Sequence, residues 1–505
     1  MRVLFLNLPS PPGVNVARDF LGYGVATPSK RFRYGHDGHV VPPIFEAYSA
    51  ALLRMEGFDV EILDGQVRDL DVDPLLHEVA NIQPDVVVSR ISLPSFRQDL
   101  GLLAKVRETV PNVLLVGWGT LCTVKPREAL SCGPLDVAIR GELELSILKL
   151  MKQLRAGKPL DGVEGISAKQ HDRILVNPPH PPIKDLDVLP TPAYDLLDMG
   201  RYLIKEERFF PEGGGGRLTR FFSIYSSRGC PFNCMYCPYS LGFGSLWRGM
   251  SPRRTVDEIE RLVEEYGVQG IWFRDQVFSM DIPRAMKICD ELIRRRLEVR
   301  WTCETRADRL SRTLVRKMKE AGCVWINLGV ETGDPKLLRR VGKRGGSLKT
   351  IEKAFKITRE VGIRRRAFIL IGLPGETWQS IKRTRRFIEK ISPDAITVDI
   401  VTPYPGTQLY EMAKRHGWLV TEDWSQYTTV DPVMSYENFT AEEMKMARRY
   451  LLDRGRIEEK VQRIISALKG GRFGDAMAEI RTVFLEPSES LWRLYNLVRC
   501  RLRGL

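Results

Sequence analysis

The chain has 505 residues, of which 43% are apolar and 28% charged, with a formal net charge of +14. That length exceeds one ordinary core and points to two or three domains. The composition excludes a disordered or fibrous chain, and nine cysteines in so long a sequence do not make a disulfide framework.

Met1-Arg2-Val3-Leu4-Phe5-Leu6-Asn7-Leu8 is a short apolar run without the length or cleavage site of a signal peptide. No stretch approaches the about 20 apolar residues that cross a bilayer. The expectation is a cytoplasmic protein, soluble or at most peripheral on a membrane. Residues 1–150 then alternate strand-like and helix-like runs. Strands are expected at 3–8, 60–63, 85–89, 113–117 and 137–139, with helices at 43–56, 75–81 and 99–109. Strands apolar throughout and alternating with helices form a parallel sheet covered on both faces, a doubly wound Rossmann-like domain. Ligands of such sheets sit at the carboxyl ends of the strands.

Residues 151–220 are less regular and read as a linker with a small hairpin at 163–176, punctuated by Pro178, Pro179, Pro181, Pro182, Pro190 and Pro192. The four glycines 213–216 read as a loop tip. Alternation resumes over 221–405, with strands expected at 222–226, 270–273, 299–303, 325–329, 367–372 and 395–401. Amphipathic helices at 252–266 and 311–321 lie between them. Six such units predict a partial or full βα barrel, whose functional residues lie at the carboxyl ends of its strands. Residues 406–505 are expected to be mainly helical, with Thr440 capping a helix that runs to 468. At 488–505, Leu491, Leu494, Val498 and Leu502 share one helical face, with Arg493, Arg499, Arg501 and Arg503 around it. This basic helix either docks on the barrel or lies on an anionic membrane surface. No recognised RNA-binding module accompanies the positive charge, so nucleic acid is the least favoured partner.

The chemistry concentrates in Arg228-Gly229-Cys230-Pro231-Phe232-Asn233-Cys234-Met235-Tyr236-Cys237, directly after the first expected barrel strand. Three thiolates this close can wrap one corner of an iron–sulfur cubane and leave one iron open for chemistry. The competing reading is a zinc site, which wants a fourth ligand; the next cysteine is Cys289.

Cys-x3-Cys-x-aromatic-Cys resembles the signature of the radical S-adenosylmethionine (SAM) family. The resemblance implies a [4Fe–4S] cluster on Cys230, Cys234 and Cys237 and reductive cleavage of SAM to a 5′-deoxyadenosyl radical. An electron donor such as flavodoxin or ferredoxin would serve the cluster, and Tyr236 would lie near the adenine. Trp272-Phe273-Arg274-Asp275-Gln276, Cys303-Glu304-Thr305-Arg306, Leu328-Gly329-Val330-Glu331 and Gly372-Leu373-Pro374-Gly375-Glu376 are similar to later motifs of that family. By this likeness Asp275, Glu304, Arg306 and Glu331 join Tyr236 around SAM; each acidic residue taken alone reads rather as a surface ion pair, and it is their shared position at strand ends that supports the functional reading.

A doubly wound domain ahead of such a barrel resembles the cobalamin-binding branch of the family, which includes methyltransferases and the anaerobic magnesium-protoporphyrin ester cyclase. Ser89, Ser92, Gly117, Gly119, Thr120 and Glu142 are then the expected cobalamin contacts. Asp37-Gly38-His39 lacks the following glycine of a cobalt-ligating motif, so His39 is read as coincidental. The resemblance implies cobalamin-dependent methylation of an unactivated carbon, or radical cyclisation, of a small molecule such as a lipid or tetrapyrrole. No catalytic side chain is singled out. Two alternatives stand beside it. One is a cobalamin-independent radical SAM enzyme such as a tRNA-modifying methylthiotransferase, for which the two cysteines before the signature, Cys122 and Cys132, are too few. The other is a non-enzymatic metal-bearing scaffold.

Overall fold

The computed structural model describes residues 1–18, 23–28, 41–170, 173–202, 204–205, 220–342 and 346–452. Residues 1–444 form one compact unit, and 445–505 form a second. Glycines 213–216, His39 and the basic helix expected at 488–505 lie outside the described residues.

The first region begins with β1 (Arg2–Asn7), the hairpin of β2 (Val14–Ala17) and β3 (Val25–Pro28), and α1 (Ile44–Met55). It continues with β4 (Asp59–Asp64), α2 (Val72–Ile82), β5 (Val86–Arg90), α3 (Phe96–Thr109) and β6 (Leu114–Trp118). The short helices α4 (Thr120–Val124) and α5 (Pro126–Ser131) precede β7 (Val137–Ile139), α6 (Leu143–Arg155), β8 (Ile166–Gln170) and β9 (Arg173–Val176). The sheet order is β4-β1-β5-β6-β7-β8-β9. The first five strands are parallel, and β8 and β9 add on antiparallel. The hairpin expected in the linker therefore extends the first sheet. α1 packs on α6 and α2 on α3, and the Val-Val-Val run of β5 is buried on both faces, as a doubly wound sheet requires.

The second region holds α7 (Met199–Tyr202), β10 (Ile204–Lys205), β11 (Arg220–Ile224), β12 (Ser227–Arg228), α8 (Tyr239–Phe243), β13 (Arg248–Gly249), α9 (Pro252–Tyr266) and β14 (Gly270–Phe273). Then come α10 (Ile282–Arg294), β15 (Arg300–Thr305), α11 (Arg312–Glu320), β16 (Cys323–Glu331), α12 (Pro335–Arg340) and α13 (Leu348–Val361). β17 (Arg364–Ile371), α14 (Trp378–Ile391), β18 (Ala395–Ile400), α15 (Gln408–Arg415) and α16 (Ala441–Leu452) complete it. Strands β11, β14, β15, β16, β17 and β18 are parallel and lie side by side in chain order. Their successive helices α9, α10, α11, α13 and α14 pack against one another. The ends β10 and β18 do not pair, so the barrel is partial.

Local sequence explains the punctuation. Ser251 accepts from the Arg254 amide ahead of Pro252 at the start of α9, and Gly267 ends that helix in the left-handed conformation. Thr377 and Ser380 form a capping box on α14. Thr440 and Glu443 exchange hydrogen bonds at the start of α16. The core under β14 and β15 is aromatic, with Trp301 fully buried and its ring 5.5 Å from Phe273 and 5.2 Å from Phe278. The two regions touch through Phe45 of α1 and Tyr225, with ring centres 4.8 Å apart, and through the Tyr48 hydroxyl of α1, which donates to Glu258 of α9 at 2.8 Å. Among the described residues no helix is long and apolar enough to cross a membrane.

Candidate functional site

The loop after β11 is fixed on three sides. The Cys230 amide donates to Gly244 O at 3.2 Å, the Met235 amide to Val341 O at 3.2 Å, and the Leu409 amide to Met235 O at 2.9 Å. Gly229 holds φ +79°, and a Cβ there would collide with the Leu246 carbonyl; only glycine fits. The loop thereby directs Cys230, Cys234 and Cys237 toward one cavity of ≈ 430 Å³, within the usual size of a ligand pocket.

Alternate residues of the barrel strands line that cavity, as a period of two dictates. Glu304 of β15, Asn327 of β16 and Arg366 of β17 face each other in one register layer. Phe368, Leu370, Thr397 and Asp399 follow toward the strand ends. Glu331 ends β16 at a register irregularity with φ +65°. That is an uncommon conformation for a residue with a Cβ, and it leaves the carboxylate on the cavity wall. Glu331 hydrogen-bonds Tyr236; burial, and then the Glu331 charge, hold that phenol well above its ordinary pKa. Arg306 is paired with Asp308 at 2.9 Å and lies 3.7 Å from the centre of the Phe232 ring, tying the third barrel strand to the cysteine loop.

Burial pushes the Cys237 thiol up to about 12 and the Cys230 thiol in the same direction. Ligation of a metal would require these thiols to give up their protons. Among the described residues no group of three His, Cys, Asp or Glu side chains is placed to hold a single ion. Three cysteines around one cavity instead suit a cluster whose ligands bind different irons, and the donor set fits a [4Fe–4S] cubane.

Five expected SAM contacts divide four to one. Tyr236, Glu304, Arg306 and Glu331 line the cavity. Asp275 does not: it is fully buried, and its carboxylate accepts from the Ser226 amide at 2.7 Å, Ser226 Oγ at 2.6 Å and Ser227 Oγ at 2.7 Å. It braces the entry to the cysteine loop, and its neighbour Gln276 takes the place on the wall.

The six expected cobalamin contacts also divide. The Ser89 and Ser92 hydroxyls are buried at the carboxyl end of β5 without hydrogen-bond partners, which fits a ligand bearing amide or hydroxyl groups there. Gly117 has a packing role, since a Cβ would stand 2.6 Å from Leu135 Cδ1. Gly119, at φ +116°, passes close to Ile91 O, and Thr120 is buried against Gly242. Glu142 faces protein: it stands 2.7 Å from Arg248 and 3.8 Å from Arg228, and it accepts from the Ile183 amide at 3.0 Å. Sequence reasoning missed the far wall, Arg366, Phe368, Leu370, Asp399 and Tyr404. The signal was present, because the expected strand at 367–372 read with a period of two puts 366, 368 and 370 on one face.

Comparisons with known proteins bear on the same regions. Residues 224–388 match the model of the radical SAM superfamily, and residues 34–150 match that of the B12 binding domain. An uncharacterized methyltransferase of Pyrococcus horikoshii is 34% identical over 409 residues, covering 81% of this chain and 86% of the relative. The anaerobic magnesium-protoporphyrin IX monomethyl ester cyclase of Rubrivivax gelatinosus is 28% identical over 422 residues, covering 82% and 72%. The fold matches the radical SAM methyltransferase TsrM of Kitasatospora setae, solved with cobalamin and a [4Fe–4S] cluster. Its TM-score is 0.63 at 19% identity, over 83% of this chain and 75% of that one. The chain therefore belongs to the radical SAM superfamily, in the branch with an N-terminal B12-binding domain, and is an enzyme whose cofactors are a [4Fe–4S] cluster, SAM and cobalamin.

Proposed function

We propose that the enzyme methylates an unactivated carbon of a small, largely apolar molecule, with the cluster on Cys230, Cys234 and Cys237. The observation that carries this reading is that one cavity is shared. The three cysteines line one side, Phe368, Leu370, Val401 and Tyr404 the other, and Val25 of the first region's hairpin reaches the same space. A methyl carrier bound by the first region and a radical source held by the second both need access to one substrate carbon.

The cluster and SAM supply a 5′-deoxyadenosyl radical, and cobalamin supplies the methyl carrier. Tyr236 and Glu331, bonded to each other, offer SAM a hydroxyl and a carboxylate acceptor. Arg366 is pushed below its ordinary pKa by burial, and the Glu304 carboxylate opposes that shift; together they give the floor a polar layer. Phe368, Leu370 and Tyr404 keep water from the reacting carbon. The apolar wall suits a lipid or tetrapyrrole, and the electron would come from a small external donor such as flavodoxin or ferredoxin.

Radical cyclisation is the second reading, favoured by the likeness to the ester cyclase. Anaerobic reaction with methyl-deuterated SAM, cobalamin and dithionite in a small-molecule extract separates the two. Methyl transfer yields a deuterated product together with S-adenosylhomocysteine and 5′-deoxyadenosine. Cyclisation yields 5′-deoxyadenosine without labelled product, and that result would sink the methylation reading.

A further inference from the structure

Strands β12 and β13 form a two-residue ribbon that frames the start of the cysteine loop, and its register sets Arg228 directly opposite Arg248. Like charges facing across a ribbon repel, and here both guanidiniums are almost fully buried, at 1% and 3% side-chain exposure. Their counter-charges come from the start of α6 in the first region. Glu144, in the first turn of α6, accepts from Arg228 Nη2 at 2.6 Å and Nη1 at 3.1 Å. Glu142, at the cap of the same helix, stands 2.7 Å from Arg248 and 3.8 Å from Arg228. Two buried cations and two buried carboxylates make a neutral quartet. Arg228 is two residues from Cys230, and the buried Tyr239 lies within electrostatic reach of Asp275, Arg228, Cys230 and Glu142 at once.

We infer that the first region tunes the reduction potential of the cluster through this quartet, with Glu142 and Glu144 as residues that cancel the two cations of the ribbon leading into Cys230. This rests on the placement of the cluster on the three cysteines. A buried charge left unbalanced is weakly screened, so removing a carboxylate adds a net cation and favours the form of the cluster holding one more electron. Removing Arg228 does the reverse. Charge and hydrogen bonding around the sulfurs are the levers by which a protein sets such potentials.

The test is an anaerobic dithionite titration of the full-length, iron-loaded protein, read by electron paramagnetic resonance of the reduced cluster. Glu144→Gln is expected to shift the midpoint to more positive values and Arg228→Gln to more negative ones. The double variant, neutral again, returns toward the parent value. Singles that move in the same direction would show that the residues only hold the loop in shape, and singles that do not move would show no electrical contact; either overturns the inference. Should a single variant lose its iron, Glu142→Gln and Arg248→Gln repeat the comparison on the other half of the quartet. A parent protein that takes up no iron would refute the cluster placement itself, a failure distinct from an unmoved midpoint.

Discussion

The two sheets are built from the same strand–helix alphabet, yet one is filled on both faces and the other is not. In the first, strand order reverses at β1, so α1 and α6 pack together apart from α2 and α3, and every residue of β5 is buried. In the second, the strands follow one another without reversal and successive helices pack in one row. Strand β17 there alternates strictly between buried and half-buried residues. Of the four half-buried ones, Arg366, Phe368 and Leu370 face the cavity. A change in strand order thus turns a solid layer into a chamber, because a sheet covered on one face must fill or use the other.

The sharpest way to break the contrast is to disable the chamber. Cys230→Ala, Cys234→Ala or Cys237→Ala should each abolish the cluster spectrum and all SAM cleavage, and a variant that kept full cleavage would remove that cysteine from the site. Trp301→Ala tests the solid side of the same sheet. It should cost about 3–5 kcal/mol, measured by denaturant unfolding, and a loss below about 1 kcal/mol would mean the barrel core is supported elsewhere.

Glu331→Ala should weaken SAM binding about tenfold, roughly 1.4 kcal/mol, with the cluster spectrum intact; unchanged affinity would take Glu331 out of the SAM site. For the first sheet, Ser89→Ala and Ser92→Ala remove hydroxyls that have no protein partner. Stability should therefore stay within about 0.5 kcal/mol while cobalamin retention falls, and undiminished cobalt content would place the ligand elsewhere.

The smallest effect concerns Glu376, behind the β17 strand end. Burial lifts its carboxyl to about 8, against the Gly372 and Leu373 amides that donate to it. The folded state then holds the proton more tightly than the unfolded chain. Its contribution to stability is full below about 4.5 and is lost as pH rises through about 8. Glu376→Gln should flatten the fall in melting temperature across that window, and an identical slope in the variant would discard this assignment.

The cysteine loop, the six barrel strands and the parallel strands of the first sheet were legible in the sequence, because each is signalled by neighbours within about ten residues: spacing of thiols, apolar runs, caps and glycines. Tertiary structure alone decided which partner each carboxylate meets. Asp275 turned from an expected SAM contact into a brace for Ser226, 49 positions away. Glu142 turned from an expected cobalamin contact into a counter-ion for Arg248. Tertiary structure also assigned the hairpin of β8 and β9 to the first sheet and placed Arg366 on the cavity floor. The physical reason is that a strand's pattern is local, whereas a buried charge is defined by whichever donors the fold brings within about 3 Å, and those lie on other elements.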